Sequence, residues 1–227
     1  MHALLNHLHG VGFTRVPKPL AVMGDQEVLG FIPGDSGADG WRRVVPEAGL
    51  RALAWLLREY HEAVGDFVAP PDARWALADG SAGPGQVICH GDVGPWNVVW
   101  DGLVPVGLVD FDFAQPGAAL DDVAYAVEYT APFRDDVQAM RWQGFDTPPD
   151  RTRRIAIFAE EYGLPTVDGL VDAVIRGQER AEERVRASAD LGLEPQRTWV
   201  AQGFGDELIA RAQWSKRNRA LFTSSPG

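Results

Sequence analysis

Two short segments hold the densest cluster of reactive side chains in this chain: VICHGDVGPWN at residues 87–97 and GLVDFD at residues 107–112. Each begins with an apolar run, typical of a β-strand, and continues into polar residues. An Asp-Gly pair at 101–102 lies between them and predicts a tight β-hairpin. Asn97 begins the first strand of this hairpin and Asp110 follows the second, and antiparallel pairing brings two such positions together. The sequence therefore predicts a polar cluster at one end of a hairpin.

The spacing of the polar residues is specific. His-Gly-Asp at 90–92 is followed by Asn97, five residues after the aspartate, and Asp110 comes after an apolar strand. Four fixed residues at set spacing arise by chance on the order of once in a thousand chains of this length. The pattern resembles the catalytic loop and the metal-binding aspartate of the aminoglycoside phosphotransferase-like family. The resemblance extends over roughly residues 2–215.

This resemblance implies an α+β, protein-kinase-like fold with two lobes. Residues 1–33 would be the remnant of the N-terminal nucleotide-binding lobe and its hinge. Residues 34–227 would form the C-terminal catalytic and substrate-binding lobe, mainly helical but containing the β-hairpin. A complete member of the family would carry additional strands with a glycine-containing, phosphate-covering loop and a cationic residue, so we expect a truncated N-terminal β lobe here.

The resemblance also implies a reaction, in which the γ-phosphoryl group of ATP is transferred to a hydroxyl of a small molecule, either aminoglycoside-like or another alcohol. The transition state of this reaction is rich in negative charge, so catalysis depends on positioning and on neutralisation by Mg²⁺. Asp92 would act as the base, and Asn97 and Asp110 would hold the metal ion. ATP and Mg²⁺ are the expected cofactors.

Other residues would complete the site. The segment at 29–33 resembles the strand and hinge that offer backbone groups to adenine, so Leu29, Phe31 and Ile32 are candidate nucleotide contacts. No P-loop accompanies them, because no glycine run leads into Gly-Lys-Ser or Gly-Lys-Thr. Three further polar residues are expected to support the loop: His90, Asp112 and Asp122.

The composition bears on partners and location. The formal net charge is −11, so the surface should repel nucleic acid and anionic membranes and attract cationic small molecules. The single cysteine cannot form an internal disulfide, and no apolar run approaches the length of a membrane span. We therefore expect a cytoplasmic protein with a small-molecule substrate and no nucleic-acid or membrane partner.

Helical periodicity dominates much of the remaining chain. Apolar residues recur at helical spacing from 46 to 64 and from 119 nearly to the end, whereas 20–23 and 27–32 predict a second hairpin. The later helices would form the acceptor wall, and their carboxylates would favour a cationic acceptor, although alternating charges usually mark solvated helix faces. The carboxylates are Asp135, Asp136, Glu160, Glu161, Asp172, Glu179, Glu182 and Glu183.

Two other classes of function remain open. Without the phosphate-covering strands, the chain could be a non-catalytic pseudokinase or a truncated fragment that binds a nucleotide, a ligand or a partner without turnover. A shortened lobe would leave a sheet edge and the apolar face of the first helix uncovered, which predicts self-association. A metal-dependent phosphoesterase is a third class, but it would need more histidines near the loop than His90.

Overall fold

A computed structural model describes residues 1–24, 26–78 and 80–223. Its helices and short antiparallel sheets agree with the α+β expectation. Within these residues, none of the helices combines the length and apolar character that a membrane crossing needs. In chain order, the elements are α1 (His2–Gly10), β1 (Pro19–Met23), β2 (Gln26–Leu29), α2 (Gly40–Arg43), α3 (Glu47–Ala63), β3 (Val87–Cys89), β4 (Val98–Asp101), β5 (Val104–Leu108), β6 (Gln115–Gly117), α4 (Ala119–Thr130), α5 (Asp136–Gln143), α6 (Arg151–Tyr162), α7 (Leu170–Asp190), α8 (Gln196–Ala201) and α9 (Phe204–Arg217).

Each sheet is a pair of antiparallel strands. The predicted catalytic hairpin is present as β4 and β5, with Val98 opposite Leu108. Its two turn residues are Gly102 and Leu103, one residue later than the predicted Asp101-Gly102 pair, because Asp101 pairs with Val104. The predicted N-terminal hairpin is present as β1 and β2, but its second strand ends at Leu29 and does not extend to residue 32. Sequence reasoning missed the third pair, in which β3 lies beside β6. The Gln-Pro-Gly sequence of β6 lacks the β-branched and aromatic side chains that usually indicate a strand.

One apolar core joins α1, α3 and several later helices to the catalytic hairpin. The buried face of α3 carries Leu50, Leu53, Leu57 and Tyr60, whose spacing of three to four residues places them on one side of the helix. The Tyr60 hydroxyl donates a hydrogen bond to the Ile88 carbonyl at 2.9 Å. This contact fixes α3 to β3, so the core supports the strand that leads into the catalytic loop.

The segment after β2 lies against the catalytic hairpin. Asp35 and Trp100 exchange two backbone hydrogen bonds of 2.9 and 2.8 Å. Gly34 allows this close approach, because a Cβ atom there would lie 2.7 Å from the Trp100 carbonyl oxygen and its φ is +144°. Ile32 packs beside Gly107 on β5. The candidate hinge therefore reaches the hairpin that carries the candidate metal ligands.

The first helix and the first strand differ in exposure. We expected the apolar face of the first helix to be uncovered, but Leu4, Leu5 and Leu8 are buried. That expectation was wrong because core residues of the other helices cover this face. On β1, by contrast, Leu20 and Val22 are exposed. Self-association through β1 and β2 stays a prediction, as does the domain division after residue 33.

Candidate active site

A buried carboxylate organises the catalytic loop. Asp122 lies in the first turn of α4 and is 1 % exposed. One of its oxygens accepts hydrogen bonds from the His90 backbone amide at 2.6 Å and from the His61 ring at 3.0 Å, and the other accepts from the Gly91 amide at 2.8 Å. Burial by itself raises the pKa of Asp122, but the hydrogen bonds and the nearby histidines outweigh it and hold the pKa below its usual value. This carboxylate therefore links α3, α4 and the loop.

The loop turns sharply at Gly91. Its φ is +81°, and a Cβ atom there would lie 2.1 Å from the Phe113 carbonyl oxygen. Any side chain would be strained in this conformation and would also collide with a backbone atom. The geometry thus requires the glycine of the His-Gly-Asp sequence, which lets the loop pack directly on the segment after Asp110.

His90 lies beneath the loop and is fully buried. Its Nε2 atom donates to the Val109 carbonyl at 2.9 Å, and its Nδ1 atom accepts from the Asp92 amide at 3.3 Å. This pairing fits a neutral imidazole with its proton on Nε2. Burial lowers the pKa of His90, although nearby carboxylates act in the opposite direction. Because both ring nitrogens are bonded to the backbone, the geometry supports the predicted structural role.

Asp92, the candidate base, is held at both carboxylate oxygens. The Asn97 side-chain amide donates to Oδ2 at 2.8 Å and to the Asp92 carbonyl oxygen at 2.9 Å. The Tyr125 hydroxyl donates a hydrogen bond to Oδ1. Sequence analysis missed Tyr125, although Asp122 and Tyr125 lie three residues apart on α4 and so share a helix face. That spacing is the signal that could have identified it.

Asp110 follows β5 in an uncommon backbone conformation. Its φ is +64°, and among the described residues it is the one non-glycine residue with a positive φ. The left-handed conformation costs roughly 1–2 kcal/mol for most residues, and aspartate tolerates it better than most. Burial, followed by the charges of Asp112 and Asp92, raises the pKa of Asp110. Backbone strain and mutual repulsion of carboxylates are both typical of functional sites.

The donor set at the end of the hairpin fits a magnesium ion. The Asn97 amide nitrogen donates to Asp92, and no described residue donates to its amide oxygen, so this oxygen is free to bind a metal ion. The Val109 backbone amide donates to the Asn97 backbone carbonyl oxygen at 2.9 Å, so Asn97 lies opposite the residue that precedes Asp110. Within residues 1–24, 26–78 and 80–223, no three His, Cys, Asp or Glu side chains form a complete metal cage. Mg²⁺ needs no such cage, because it keeps several waters and is bound by one or two protein ligands together with substrate phosphates.

Two cavities adjoin at the catalytic loop. Their volumes are about 490 Å³ and about 460 Å³. Asp92 lines both and therefore lies in the wall between them. The other residues that line both cavities are Trp96, Phe113, Gln196 and Trp199. A compound bound on either side would thus meet the same carboxylate.

The larger cavity, the carboxylate cavity, has four acidic lining residues: Asp92, Asp110, Asp112 and Glu194. Asp112 is exposed and adds negative charge beside Asp110. Arg74 is the one arginine or lysine among the lining residues of this cavity. Sequence analysis missed it, because Arg74 lies in the connection between α3 and β3 and belongs to no recognisable motif. The cavity therefore combines one of the two candidate metal ligands, Asp110, with one arginine, whereas Asn97 is not among its lining residues.

The candidate nucleotide contacts lie apart from this cluster. Leu29, Phe31 and Ile32 line neither cavity. Leu29 ends β2, Phe31 is 86 % exposed, and Ile32 packs beside Gly107. All three belong to the segment that leads onto the catalytic hairpin, and their contact with a nucleotide stays a prediction.

The smaller cavity, the arginine cavity, is lined by Arg134, Arg184 and Arg211. Asp92 is the one acidic residue among its lining residues. Sequence analysis singled out none of the three arginines. The aromatic side chains in its wall are Trp41, Trp96, Phe113, Tyr125, Tyr129, Trp199 and Phe204. The surroundings of Asp92 are thus acidic on one side and basic and aromatic on the other.

The acidic helices do not contribute to this wall. None of the eight carboxylates that we expected there lines either cavity. Glu160 and Glu161 lie 3.5 and 3.1 Å from Arg51. Four others are also paired, namely Asp136 with Arg151, Asp172 with Arg219, Glu179 with Lys216 and Glu182 with Arg186. The predicted acidic acceptor wall is therefore absent from these cavities, because most of its charges are neutralised elsewhere.

Sequence comparison relates the site to known proteins. The model of the phosphotransferase enzyme family (APH) matches residues 69–157, which include the catalytic loop and the hairpin. The trifolitoxin immunity protein of Rhizobium leguminosarum bv. trifolii is 34 % identical over 182 residues, which cover 76 % of this chain and 67 % of that protein.

Solved structures share the fold at much lower identity. The amicoumacin kinase hAmiN, in complex with AMP-PNP, Ca²⁺ and Ami, has a TM-score of 0.58 at 12 % identity, and the match covers 90 % of this chain and 75 % of that chain. The GDP and kanamycin complex of APH(2″)-IIIa has a TM-score of 0.57 at 16 % identity, and the match covers 96 % of this chain and 81 % of that chain. These likenesses confirm the kinase-like α+β fold. The chain belongs to the aminoglycoside phosphotransferase-like family of the protein-kinase fold.

Proposed function

We propose that this protein transfers the γ-phosphoryl group of ATP to a hydroxyl group of a small molecule. The observation that carries the proposal is the position of Asp92 in the wall between the carboxylate cavity and the arginine cavity. A phosphoryl donor on one side and a hydroxyl on the other would both reach this carboxylate. Membership of a phosphotransferase family supports the coarser function of a small-molecule kinase.

Asp92 would take the proton of the acceptor hydroxyl. At the same time, the hydroxyl oxygen would form a bond to the γ-phosphorus, and the bond between that phosphorus and ADP would break. Asn97 and Tyr125 each donate a hydrogen bond to one Asp92 oxygen. The carboxylate is therefore held in place before the acceptor binds, and little reorganisation is needed during the reaction. Tyr125 acts here as a positioning residue.

The carboxylate cavity would take the triphosphate. Asn97 and Asp110 would hold Mg²⁺, which neutralises phosphate charge when it is bound. Arg74 would add the one cation of this cavity. Leu29, Phe31 and Ile32 would contact the base of the nucleotide from the candidate hinge. Support for a nucleotide and a divalent cation comes from the hAmiN complex with AMP-PNP and Ca²⁺.

One comparison favours a second candidate function. The relative with 34 % identity is an immunity protein, so this protein would protect a cell against a toxin. Protection could follow from phosphorylation of a hydroxyl on the toxin, which is the reaction proposed above. It could also follow from binding without turnover, which is the non-catalytic alternative. Transfer of phosphate from ATP to the toxin distinguishes these two routes, because the non-catalytic alternative also allows nucleotide binding.

Calorimetric titration with a non-hydrolysable ATP analogue, with and without Mg²⁺, tests the proposal. We expect binding that requires Mg²⁺ in the wild-type protein and is lost in Asp110→Ala, because that change removes a metal ligand. Asp190→Ala is a matched control, since it removes one exposed carboxylate at the end of α7 that lines neither cavity. It should bind the analogue as the wild type does.

Two results would contradict the proposal. If the folded wild-type protein binds no analogue at any Mg²⁺ concentration, the non-catalytic function is favoured. If Asp110→Ala keeps Mg²⁺-dependent binding, Asp110 does not hold the metal. Circular dichroism and thermal unfolding of each variant establish that the comparison is made between folded proteins.

A further inference from the structure

The arginine cavity has a charge opposite to that of the protein as a whole. We infer that it binds an acceptor that carries a carboxylate or a phosphate and an aromatic ring beside its hydroxyl group. This inference rests on the proposed function, because it assigns the acceptor class for the same phosphoryl transfer. It differs from the cationic, aminosugar-like acceptor that the net charge of −11 suggested.

Arg134 is the strongest evidence for an anionic ligand. Its side chain lines the cavity, and the residue is 8 % exposed. Its Nε and Nη2 atoms are buried and have no hydrogen-bond partner among the described residues. A buried charge without a partner is costly, and such groups usually have a ligand, a water molecule or an ion as their partner. Carboxylates and phosphates match the planar guanidinium group in geometry and charge.

The charges around Arg134 also favour an anionic ligand. Burial lowers its pKa, and the charge of Arg211 lowers it further. Glu128 on α4 is 3.3 Å from Arg211 and also accepts a hydrogen bond from Gln178 at 3.1 Å. Glu128 pairs directly with Arg211, whereas it acts on Arg134 only through its charge, together with Asp135 and Tyr129. The Arg134 guanidinium lies 5.5 Å from the centre of the Tyr129 ring, and its unpaired Nε and Nη2 atoms still lack an acceptor, which an anion in the cavity would supply.

Arg184 connects the basic side of the cavity to the catalytic loop. Its Nη1 atom lies 3.5 Å from the Gly91 carbonyl oxygen, and its guanidinium group stacks 5.3 Å from the centre of the Tyr125 ring. Tyr125 in turn donates a hydrogen bond to Asp92. The anion-binding groups and the candidate base are therefore parts of one connected surface.

Aromatic rings form a wall of the cavity. The Trp96 and Tyr129 ring centres are 4.8 Å apart, and the Trp41 ring lies 4.8 Å from Trp96 and 5.7 Å from Tyr129. Such a cluster offers ring faces and edges that favour a flat, apolar ligand. A sugar with several ammonium groups would instead meet three arginines and one carboxylate.

Binding of three isosteric probes tests the inference: para-(hydroxymethyl)benzoate, its neutral amide para-(hydroxymethyl)benzamide, and the cationic para-(hydroxymethyl)benzylamine. Ligand-observed NMR titration of the 227-residue chain should show the benzoate binding about tenfold more tightly than the other two, since a hydrogen bond to a charged group changes the binding free energy by an amount that corresponds to about that factor. In Arg134→Met, this preference should disappear. Arg141→Met, which removes an exposed arginine outside the cavity, should retain it.

Thermal unfolding separates a binding role from a structural one. Because the buried Nε and Nη2 atoms of Arg134 have no hydrogen-bond partner, Arg134→Met should unfold at a temperature equal to or above that of the wild type. The inference is overturned if the benzylamine or kanamycin binds as tightly as the benzoate, if no probe binds to the wild type, or if folded Arg134→Met keeps the benzoate preference. Loss of ATP-analogue binding with the benzoate preference intact would overturn the phosphoryl transfer and keep the anion site.

Discussion

The two cavities beside Asp92 are nearly equal in size but opposite in charge. The carboxylate cavity has a volume of about 490 Å³ and contains three aspartates with one arginine, whereas the arginine cavity has a volume of about 460 Å³ and contains three arginines with one aspartate. Glu194 also lines the carboxylate cavity, which therefore has four acidic residues. The first arrangement suits a metal cation bound to a polyphosphate, and the second suits an anionic ligand. The contrast teaches that the net charge of a protein does not predict the charge of its binding sites.

Replacing Asp92 should have the largest effect, because this residue belongs to both cavities. Asp92→Asn should lower turnover about a thousandfold, in line with the loss of a general base, while the affinity for an ATP analogue changes only a few-fold. Steady-state kinetics and calorimetry on the same preparation measure the two quantities. Turnover within tenfold of the wild type would exclude Asp92 as the base.

Removing the Tyr125 hydroxyl should have an intermediate effect. Tyr125→Phe keeps the ring beside Arg184 but loses the hydrogen bond to Asp92. We expect kcat to fall about tenfold, the value of one hydrogen bond to a charged group, with little change in KM. Tyr129→Phe is the comparison, because its hydroxyl makes no hydrogen bond to Asp92 although its ring lines the arginine cavity, so this change should act on KM more than on kcat. Equal effects of the two changes would contradict a positioning role for Tyr125.

Removing the cation of the carboxylate cavity should have the smallest effect. Arg74 is exposed, so Arg74→Gln should weaken binding of the ATP analogue by only about twofold to fivefold, and added salt should reduce the difference further. Arg197→Gln, which removes an exposed arginine that lines neither cavity, controls for net charge. If both variants bind the analogue equally well, Arg74 does not contact the phosphates.

The sequence predicted the parts of the site that depend on local chain geometry. A turn of two residues sets the hairpin, and the hairpin brings Asn97 near Asp110. The loop residues His90 and Asp92 follow directly from the motif. These features were predictable because each is fixed within a short stretch of chain.

The remainder depends on how the helices pack. Tyr125 was accessible to sequence reasoning only through its three-residue spacing from Asp122. Arg134 reaches the site only because the segment after α4 lies against the loop, and no local pattern encodes that arrangement. The acidic residues of the later helices gave a wrong prediction of the acceptor wall for the same reason. Glu160 and Glu161 were expected to face the acceptor, but the packing of α6 on α3 pairs them with Arg51.

The hydrogen bonds of Asp122 have a consequence for the mobility of the catalytic loop. Loop amides usually exchange their hydrogens with solvent rapidly, but those of His90 and Gly91 donate to a carboxylate that is 1 % exposed. Release of either amide proton requires α4 to separate from the loop, which opens the core. These two amides should therefore be among the slowest to exchange with deuterated water, at a rate set by global unfolding.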